Sequence, residues 1–537
     1  MKFNFTPLLL LLGTVSTQVA DSDSAVSVQS IPAVQLWPRL TANNAQNVSQ
    51  GFIGFGIEMA SFTNFGGLNQ PNMFSNNLMS ALSTRNGAPV HIRVGGTSMD
   101  NTIFNASSSS PLEPTGDRDA CKLHTNATIG SPWLAPFKHF NAGTRFTVQV
   151  PLARVHPNNR IAFAEACIAA IPGTTKQLDA IEIGNEPDLY SLFPKAACGS
   201  PDRRAKYRPE DYAAEWKVAA RNISEDVGAL NASAKKAWFQ AMTISSGNPH
   251  SWNVATTWNE IDEGGFVKTV SQHYYQADAC DKMALRNQLM NHSQTVSEMQ
   301  TSFGATIAFL QKRDIPFVLG EVGSAIAIGS GDCSPALDIY RSLGAALWTA
   351  DFMLHSMAMG IARVSMQQGT GFNIAAWQPV TTPALPKAVH GNWYGHVFAA
   401  DFIGPGGNFQ IHALPTNATH PDIVSYAGYN SGLLTKLAVL DMRFWEGANN
   451  SPRPAVDIRL PDLGTDITAA RVSRLTAPGG SDDLQSISWA GKQWSADDDG
   501  KEPRGNNSVV VKVVNGSLAG NVTIWASQAV LLEMIRA

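Results

Sequence analysis

Charge is scarce in this chain of 537 residues, and cysteine is scarcer still. Only 15% of the residues are charged and the net charge is −4, so the sequence offers no basic field to nucleic acid or to an anionic membrane. With 44% hydrophobic residues, this low charge describes a globular chain able to bury a sizeable core. No run of ~20 uninterrupted apolar residues occurs, so no membrane-spanning helix is expected. Neither CxxC nor HExxH is present, and neither a metal site nor a cofactor is expected. Repeats of fixed helical or β period and low-complexity linkers are missing too, which argues against an adhesive or structural array.

What is present begins with an export signal. Lys2 precedes the apolar stretch Leu8 to Leu12, and small residues follow to Ala20, so residues 1–20 read as a signal peptide. Secretion fits the N-x-Ser/Thr sequons at Asn47, Asn105, Asn126, Asn222, Asn231, Asn291, Asn417, Asn449, Asn506, Asn515 and Asn521, which predict N-linked glycans. The cysteines are Cys121, Cys167, Cys198, Cys280 and Cys333; five thiols predict two disulfides and one free thiol.

From about residue 50 to 400, short β-rich runs alternate with longer helical ones. Expected strands are Phe52 to Ile57, His91 to Val94, Phe146 to Val150, Leu178 to Ile183, Trp238 to Ile244, Val270 to Tyr275, Phe317 to Gly320 and Ala362 to Met366. Helices are expected at Arg160 to Ile171, Pro209 to Leu230, Asn287 to Lys312 and Ala336 to Met359. Eight such units imply an α/β fold, a (β/α)8 TIM barrel over 49–400 with its functional face at the carboxyl ends of the strands. Cys280 and Cys333 would lie in loops at one end of it, and they are the expected pair. Beyond residue 401, short alternating runs between turns predict a C-terminal all-β sandwich to 537. The N-terminal segment, 21–48, carries a strand-like run at Val26 to Ile31 and is expected to join that sandwich.

Two carboxylates stand out. Ile181-Glu182-Ile183-Gly184-Asn185-Glu186-Pro187 and Phe317-Val318-Leu319-Gly320-Glu321 are apolar runs that each deliver a Glu where a turn must begin. Pro187 cannot donate to a sheet ladder, so its strand ends near Glu186. Two Glu side chains at strand ends suit glycoside hydrolysis, in which one carboxyl protonates the leaving oxygen and the other attacks the anomeric carbon or activates water.

These segments, with Gly54-Phe55-Gly56-Ile57-Glu58, Ser271-Gln272-His273-Tyr274-Tyr275 and Trp377-Gln378-Pro379, resemble glycoside hydrolase family 79, the β-glucuronidase and heparanase family, in its fungal branch. The resemblance covers most of the mature chain. It implies a catalytic barrel followed by a sandwich that the amino terminus completes. By that resemblance Glu186 is the acid/base and Glu321 the nucleophile, on strands four and seven. Asn185 would donate to the sugar 2-hydroxyl, and Arg93 and Tyr275 would hydrogen-bond Glu321. Glu58 would bind sugar hydroxyls, and His273 would face the ligand or sit buried on backbone. Trp377 is taken as the pocket floor, with a core Trp as the alternative.

The chain departs from the family pattern where specificity is set. Ile326 and Ile328, before Gly329-Ser330-Gly331, stand where a carboxylate-binding Tyr and Gly are expected. Gly371-Phe372-Asn373-Ile374 replaces another Tyr, and Gln367, counted with the substrate-binding residues, stands in place of His. The resemblance implies a secreted retaining exo-β-glycosidase acting on a carbohydrate, with terminal β-linked glucuronic acid or its 4-O-methyl form as the leading sugar. A retaining enzyme for a neutral hexoside, or a non-catalytic carbohydrate-binding glycoprotein, are the alternatives. The insertions Asn105 to Lys138 and Lys195 to Arg208 would wall off a pocket, and Lys195, Arg203, Arg204 and Lys206 form a basic cluster nearby.

Overall fold

Eight parallel strands close on one another: β1 (Ile53–Glu58), β2 (His91–Gly95), β3 (Arg145–Val150), β4 (Leu178–Ile183), β5 (Phe239–Ile244), β6 (Val267–Asp278), β7 (Phe317–Ile326) and β8 (Arg363–Gln368). β8 returns beside β1 with Val364 opposite Ile53, which seals the barrel. In this computed structural model the described residues are 31–537, except 115–126, 154–155, 174–175, 192–202, 205, 246–251, 327–336, 384 and 450. The leader at 1–20, the run Val26 to Ile31 save its last residue, and Cys121, Cys198 and Cys333 therefore lie outside the described residues. Cys280 is disulfide-bonded and Cys167 is a buried free thiol.

Both faces of the strands are covered, so they read as near-continuous apolar runs. Helices Pro157–Ala170, Pro209–Asp226, His292–Gln311 and Leu343–Met359 pack outside them. The expected helix from Asn287 is split: a π-turn at Leu285–Leu289 precedes His292–Gln311, whose start is capped by the Asn291 side chain accepting from Gln294 N at 3.2 Å. Helix Gly391–Ile403 was not anticipated and runs past residue 400. All its residues but Asp401 are buried, so it lacks the polar face that makes helical periodicity visible.

The floor of the barrel is tied at the amino ends of its strands. Asp179 meets Arg145 at 2.7 Å, Lys268 at 2.7 Å, Arg363 at 3.1 Å and His91 at 3.3 Å. Burial pushes the His91 imidazole down to about 3, so that ring is neutral. Conserving charge balance this way, far from the catalytic face, serves stability.

Two sheets form the second body. The larger runs Gln46–Val48, Phe409–Ala413, Ile423–Asn430, Leu433–Asp441, Gln528–Arg536, Ile467–Thr476, Val509–Val514 and Ser517–Leu518, with Ser488–Trp489 beside Ile467–Thr476. The smaller joins Ala33–Gln35, Ala455–Arg459 and Val522–Trp525. The amino-terminal segment thus adds one strand to each sheet. Between them lie Val34, Leu437, Ile458, Val472, Ile524 and Leu532, alternate residues pointing to a shared core. The sandwich is fastened to the barrel by Asp351 of helix Leu343–Met359, which accepts from Tyr426 Oη at 2.8 Å and pairs with His292 at 2.8 Å.

Candidate active site

At the end of β4 the chain leaves the sheet through Gly184, whose φ is 81° and whose added β-carbon would lie 2.6 Å from the Tyr190 hydroxyl. Asp100 then fixes the next residue, accepting from Asn185 N at 2.8 Å and from Tyr190 Oη. Glu186 itself is left-handed, with φ 49° and ψ 55°, and its N–H donates to Thr243 O at 2.9 Å. Met242 and Thr243 on β5 also have positive φ, 74° and 45°. Three non-glycine residues in this costly region around one carboxylate mark a site held by its surroundings.

β7 supplies Glu321. Two residues on, Gly323 leaves room for the Tyr275 ring, which an added β-carbon would meet at 2.5 Å. Tyr275, from β6, reaches across to donate to Glu321 Oε1 at 2.5 Å. Arg93, from β2, donates Nη1 to Glu321 Oε2 at 2.7 Å. The same guanidinium is wholly buried and also grips Glu182 Oε1 through Nε at 3.0 Å and Nη2 at 2.5 Å. Its Nη2 donates to Asn185 Oδ1 at 2.7 Å, and Asn185 Nδ2 in turn donates to Thr97 Oγ1 at 3.4 Å. One cation therefore orients the acid strand, the second carboxylate and the Asn between them.

Electrostatics separate the groups. Burial alone would push the Glu321 carboxyl up, but His273, Arg93 and the Tyr275 hydroxyl together hold it below its ordinary value, so it is ionised. His273 Nδ1 lies 3.0 Å from Glu186 Oε1. Burial disfavours its protonation, yet Glu321 and Glu186 outweigh that and raise its pKa. Its Nε2 is buried with no partner among the described residues. Glu58 ends β1, accepts from the Ser98 hydroxyl, and is pushed up to about 7, chiefly by burial.

One oxygen each of Glu186 and Glu321, with a ring nitrogen of His273, lie within 4.8 Å of one another. Three metal ligands can adopt such spacing, but each group here already has a partner that accounts for its position. The spacing is also that of two carboxyls working on opposite sides of one bond.

Trp377 does not join them. Its indole is fully buried, edge-on to Phe55 at 4.9 Å between ring centres, with Nε1 donating to Ser75 Oγ at 2.9 Å. It is a core residue, packed edge-on among Phe55, Phe65 and Trp393. Gln367 faces the barrel interior beside Gly56, its Oε1 buried without a partner among the described residues. Ile326 is exposed at the end of β7, and Ile374 reaches the space next to Gly323 and Tyr275. Ile328, Gly329 to Gly331 and Lys195 lie outside the described residues, as do parts of both insertions. Arg203 pairs with Glu215 at 2.8 Å and Arg204 with Asp211 at 3.0 Å, so those two cations are engaged locally.

The chain is similar to known glycoside hydrolases. The sequence pattern described as Glycosyl hydrolase family 79 C-terminal beta domain matches residues 425–531. A β-glucuronidase of Aspergillus niger is 28% identical over 520 residues, covering 91% of each chain. A β-glucuronidase of Neurospora crassa is 27% identical over 563 residues, covering 94% of this chain and 97% of its own. The chain is thus similar to fungal β-glucuronidases over most of its length, and to family 79 in its C-terminal β domain. A solved 4-O-α-L-rhamnosyl-β-D-glucuronidase from Fusarium oxysporum shares the fold, with a TM-score of 0.75, 20% identity, and coverage of 93% of this chain and 100% of its own. The family 51 arabinofuranosidase of Xanthomonas axonopodis pv. citri superposes at 0.59 with 14% identity, covering 93% and 99%.

Sequence reading of this glycoside hydrolase missed several groups that build the site. Glu182 was detectable: a carboxylate amid an apolar strand needs a buried cation, and Arg93 is that cation. Gln240, which donates to Glu182 Oε2 at 2.5 Å, and Gln149, which accepts from Arg93 at 3.3 Å, carried a weaker signal as polar residues in apolar strands. Asp100 and Ser98 carried none, since short polar loop residues are ordinary.

Proposed function

We propose that this chain is a family 79 hydrolase, a secreted, N-glycosylated exo-β-glucuronidase that cleaves terminal β-linked glucuronate, or a 4-O-substituted form, with retained configuration. The observation that carries the reading is the approach of Glu186 and Glu321 oxygens to within 4.8 Å. Retaining enzymes hold their carboxyls about 5 to 5.5 Å apart, whereas inverting ones leave room for a water between them. The named activity of the Aspergillus and Neurospora relatives supports glucuronate as the sugar.

In the first step Glu186 passes its proton to the glycosidic oxygen while the Glu321 carboxylate attacks C1, and the aglycone departs as an alcohol. In the second, Glu186 takes a proton from water as that water attacks C1, releasing the sugar and restoring Glu321. Arg93 and Tyr275 hold Glu321 ionised, and His273 orients Glu186. The Asn185 amide donates to the 2-hydroxyl, and Glu58 and Gln367 accept from sugar hydroxyls. Secretion is supported by the leader-like residues 1–20, and no helix among the described residues is long and apolar enough to cross a membrane.

Ile326 and Ile374 favour a second reading, a neutral hexoside, because neither side chain can pair with a carboxylate. Rates on aryl β-glucuronide and aryl β-glucoside decide between them. Buried donors left unpaired by loss of the carboxylate cost about 1 to 3 kcal/mol each, so the glucuronide should be faster by roughly one to two powers of ten in kcat/KM. Equal or faster glucoside turnover would overturn the uronate assignment and leave the retaining chemistry in place.

A further inference from the structure

Strand Val509–Val514 reads Val-Val-Val-Lys-Val-Val, and its outer edge is half open. On one side it pairs with Ile467–Thr476, from Val509 opposite Val472 to Lys512 opposite Ala469. On the other, Leu518 and Ser517 pair with Val513 and Val514, and Ala519 N donates to Lys512 O at 2.8 Å. Beyond that hairpin no described strand pairs with the outer edge, where alternation turns the N–H and C=O of Val510 outward while Val509 and Val511 face Ile467–Thr476. Val509, Val510 and Val514 are 60%, 56% and 53% exposed, so the open edge is also apolar. A short valine-rich strand with one charge and no proline is a template for pairing with another copy of itself.

Sequons stand at both ends of it. Asn506-Asn507-Ser508 leads directly into the strand, and Asn515-Gly516-Ser517 follows directly after. Asn515 and Gly516 have φ of 51° and 75°, a two-residue hairpin turn that puts Asn515 at the exposed tip. Asn506 Oδ1 accepts from Ser508 N at 2.9 Å and Ser508 Oγ at 2.5 Å, while its Nδ2 bonds nothing among the described residues. The Asn515 side chain likewise has no partner there. Asn521, also in a sequon, differs: its Nδ2 already donates to Asp457 Oδ2 at 2.7 Å.

We propose that N-glycans on Asn506 and Asn515 cover this edge and prevent the strand from pairing with its counterpart in a second copy. The proposal rests on the secreted, glycosylated reading above. At each site Nδ2 bonds to the anomeric carbon of an N-acetylglucosamine carried on a lipid diphosphate. The amide loses one proton and the lipid diphosphate leaves. Bulky hydrated glycans at both ends then do for the edge what charges and prolines do elsewhere, with Lys512 as the single charged guard.

The test uses protein secreted from a glycosylating eukaryotic host. Mass spectrometry of peptides reads occupancy at every sequon, and light scattering after size exclusion reads association across a concentration series. Expected are glycans at Asn506 and Asn515 and a monomeric peak. The double variant Asn506→Gln/Asn515→Gln, and folded wild type stripped of N-glycans by enzyme, should both lose that peak to larger species while keeping hydrolysis per folded molecule. Adding Val510→Lys to the double variant should restore the monomer. Bare Asn506 and Asn515 with glycans elsewhere would overturn this inference alone, whereas no glycan on any sequon would overturn the secreted reading as well. Stripped protein as monodisperse as the untreated form, or no rescue by Val510→Lys, would also defeat it.

Discussion

Arg93 and Glu321 are 228 positions apart in the chain and meet at 2.7 Å inside the barrel. That contact makes the second carboxylate an anion at the catalytic face, since the buried guanidinium compensates what burial takes away.

Glu321→Gln keeps the shape of the side chain and removes its charge. Turnover of an aryl β-glucuronide should fall by several powers of ten while the circular dichroism spectrum is unchanged. Retention of more than about a tenth of the wild-type rate would remove Glu321 from the nucleophile role.

Glu186→Ala should be most harmful with poor leaving groups, which depend on protonation of the departing oxygen. Azide should partly restore turnover of an activated aryl glycoside, because it attacks the glycosyl-enzyme without a base. Uniform losses across leaving groups with no azide effect would point to another acid.

Tyr275→Phe removes the hydroxyl that donates to Glu321 Oε1 at 2.5 Å. This bond stabilises the carboxylate, so its loss should raise the pKa of Glu321 and move the acid limb of the kcat/KM profile to higher pH. An unmoved acid limb with a lower rate would make Tyr275 a packing residue.

Glu58 is held up to about 7 from its ordinary 4.5, first by burial and then by Glu321 and Glu186, against the Ser98 hydroxyl and Arg93. The folded protein keeps a proton that the unfolded chain releases, so stability falls as pH rises from 4.5 to about 7 and levels off above. Asp188, also pushed up to about 7 by burial, acts in the same sense. Glu58→Gln should flatten part of that decline, so its Tm advantage over wild type grows across the window. Parallel Tm profiles for the two proteins would show that Glu58 ionises normally.

The sequence by itself determined the barrel and most of its strand ends. Leu178 to Ile183 was legible to the residue, because burial on both faces demands a continuous apolar run and Gly184 and Pro187 punctuate its end. Glu186 was legible as a carboxylate closing an apolar run; Glu321 was legible from the apolar run before it, but β7 continues through it to Ile326, so the turn expected there does not begin at Glu321. The family resemblance named Arg93 and Tyr275 beside Glu321, and tertiary structure decided the other contacts, His273 with Glu186 and Arg93 with Glu182. That Tyr275 and Arg93 take opposite oxygens of Glu321 follows from barrel closure, which sets distant strands side by side. It also decided that Trp377 belongs to the core and that helix Gly391–Ile403 exists, since an element buried on all sides leaves no alternation to read. Periodicity records which face meets water, whereas contacts inside a closed barrel depend on shape and register that no local pattern encodes.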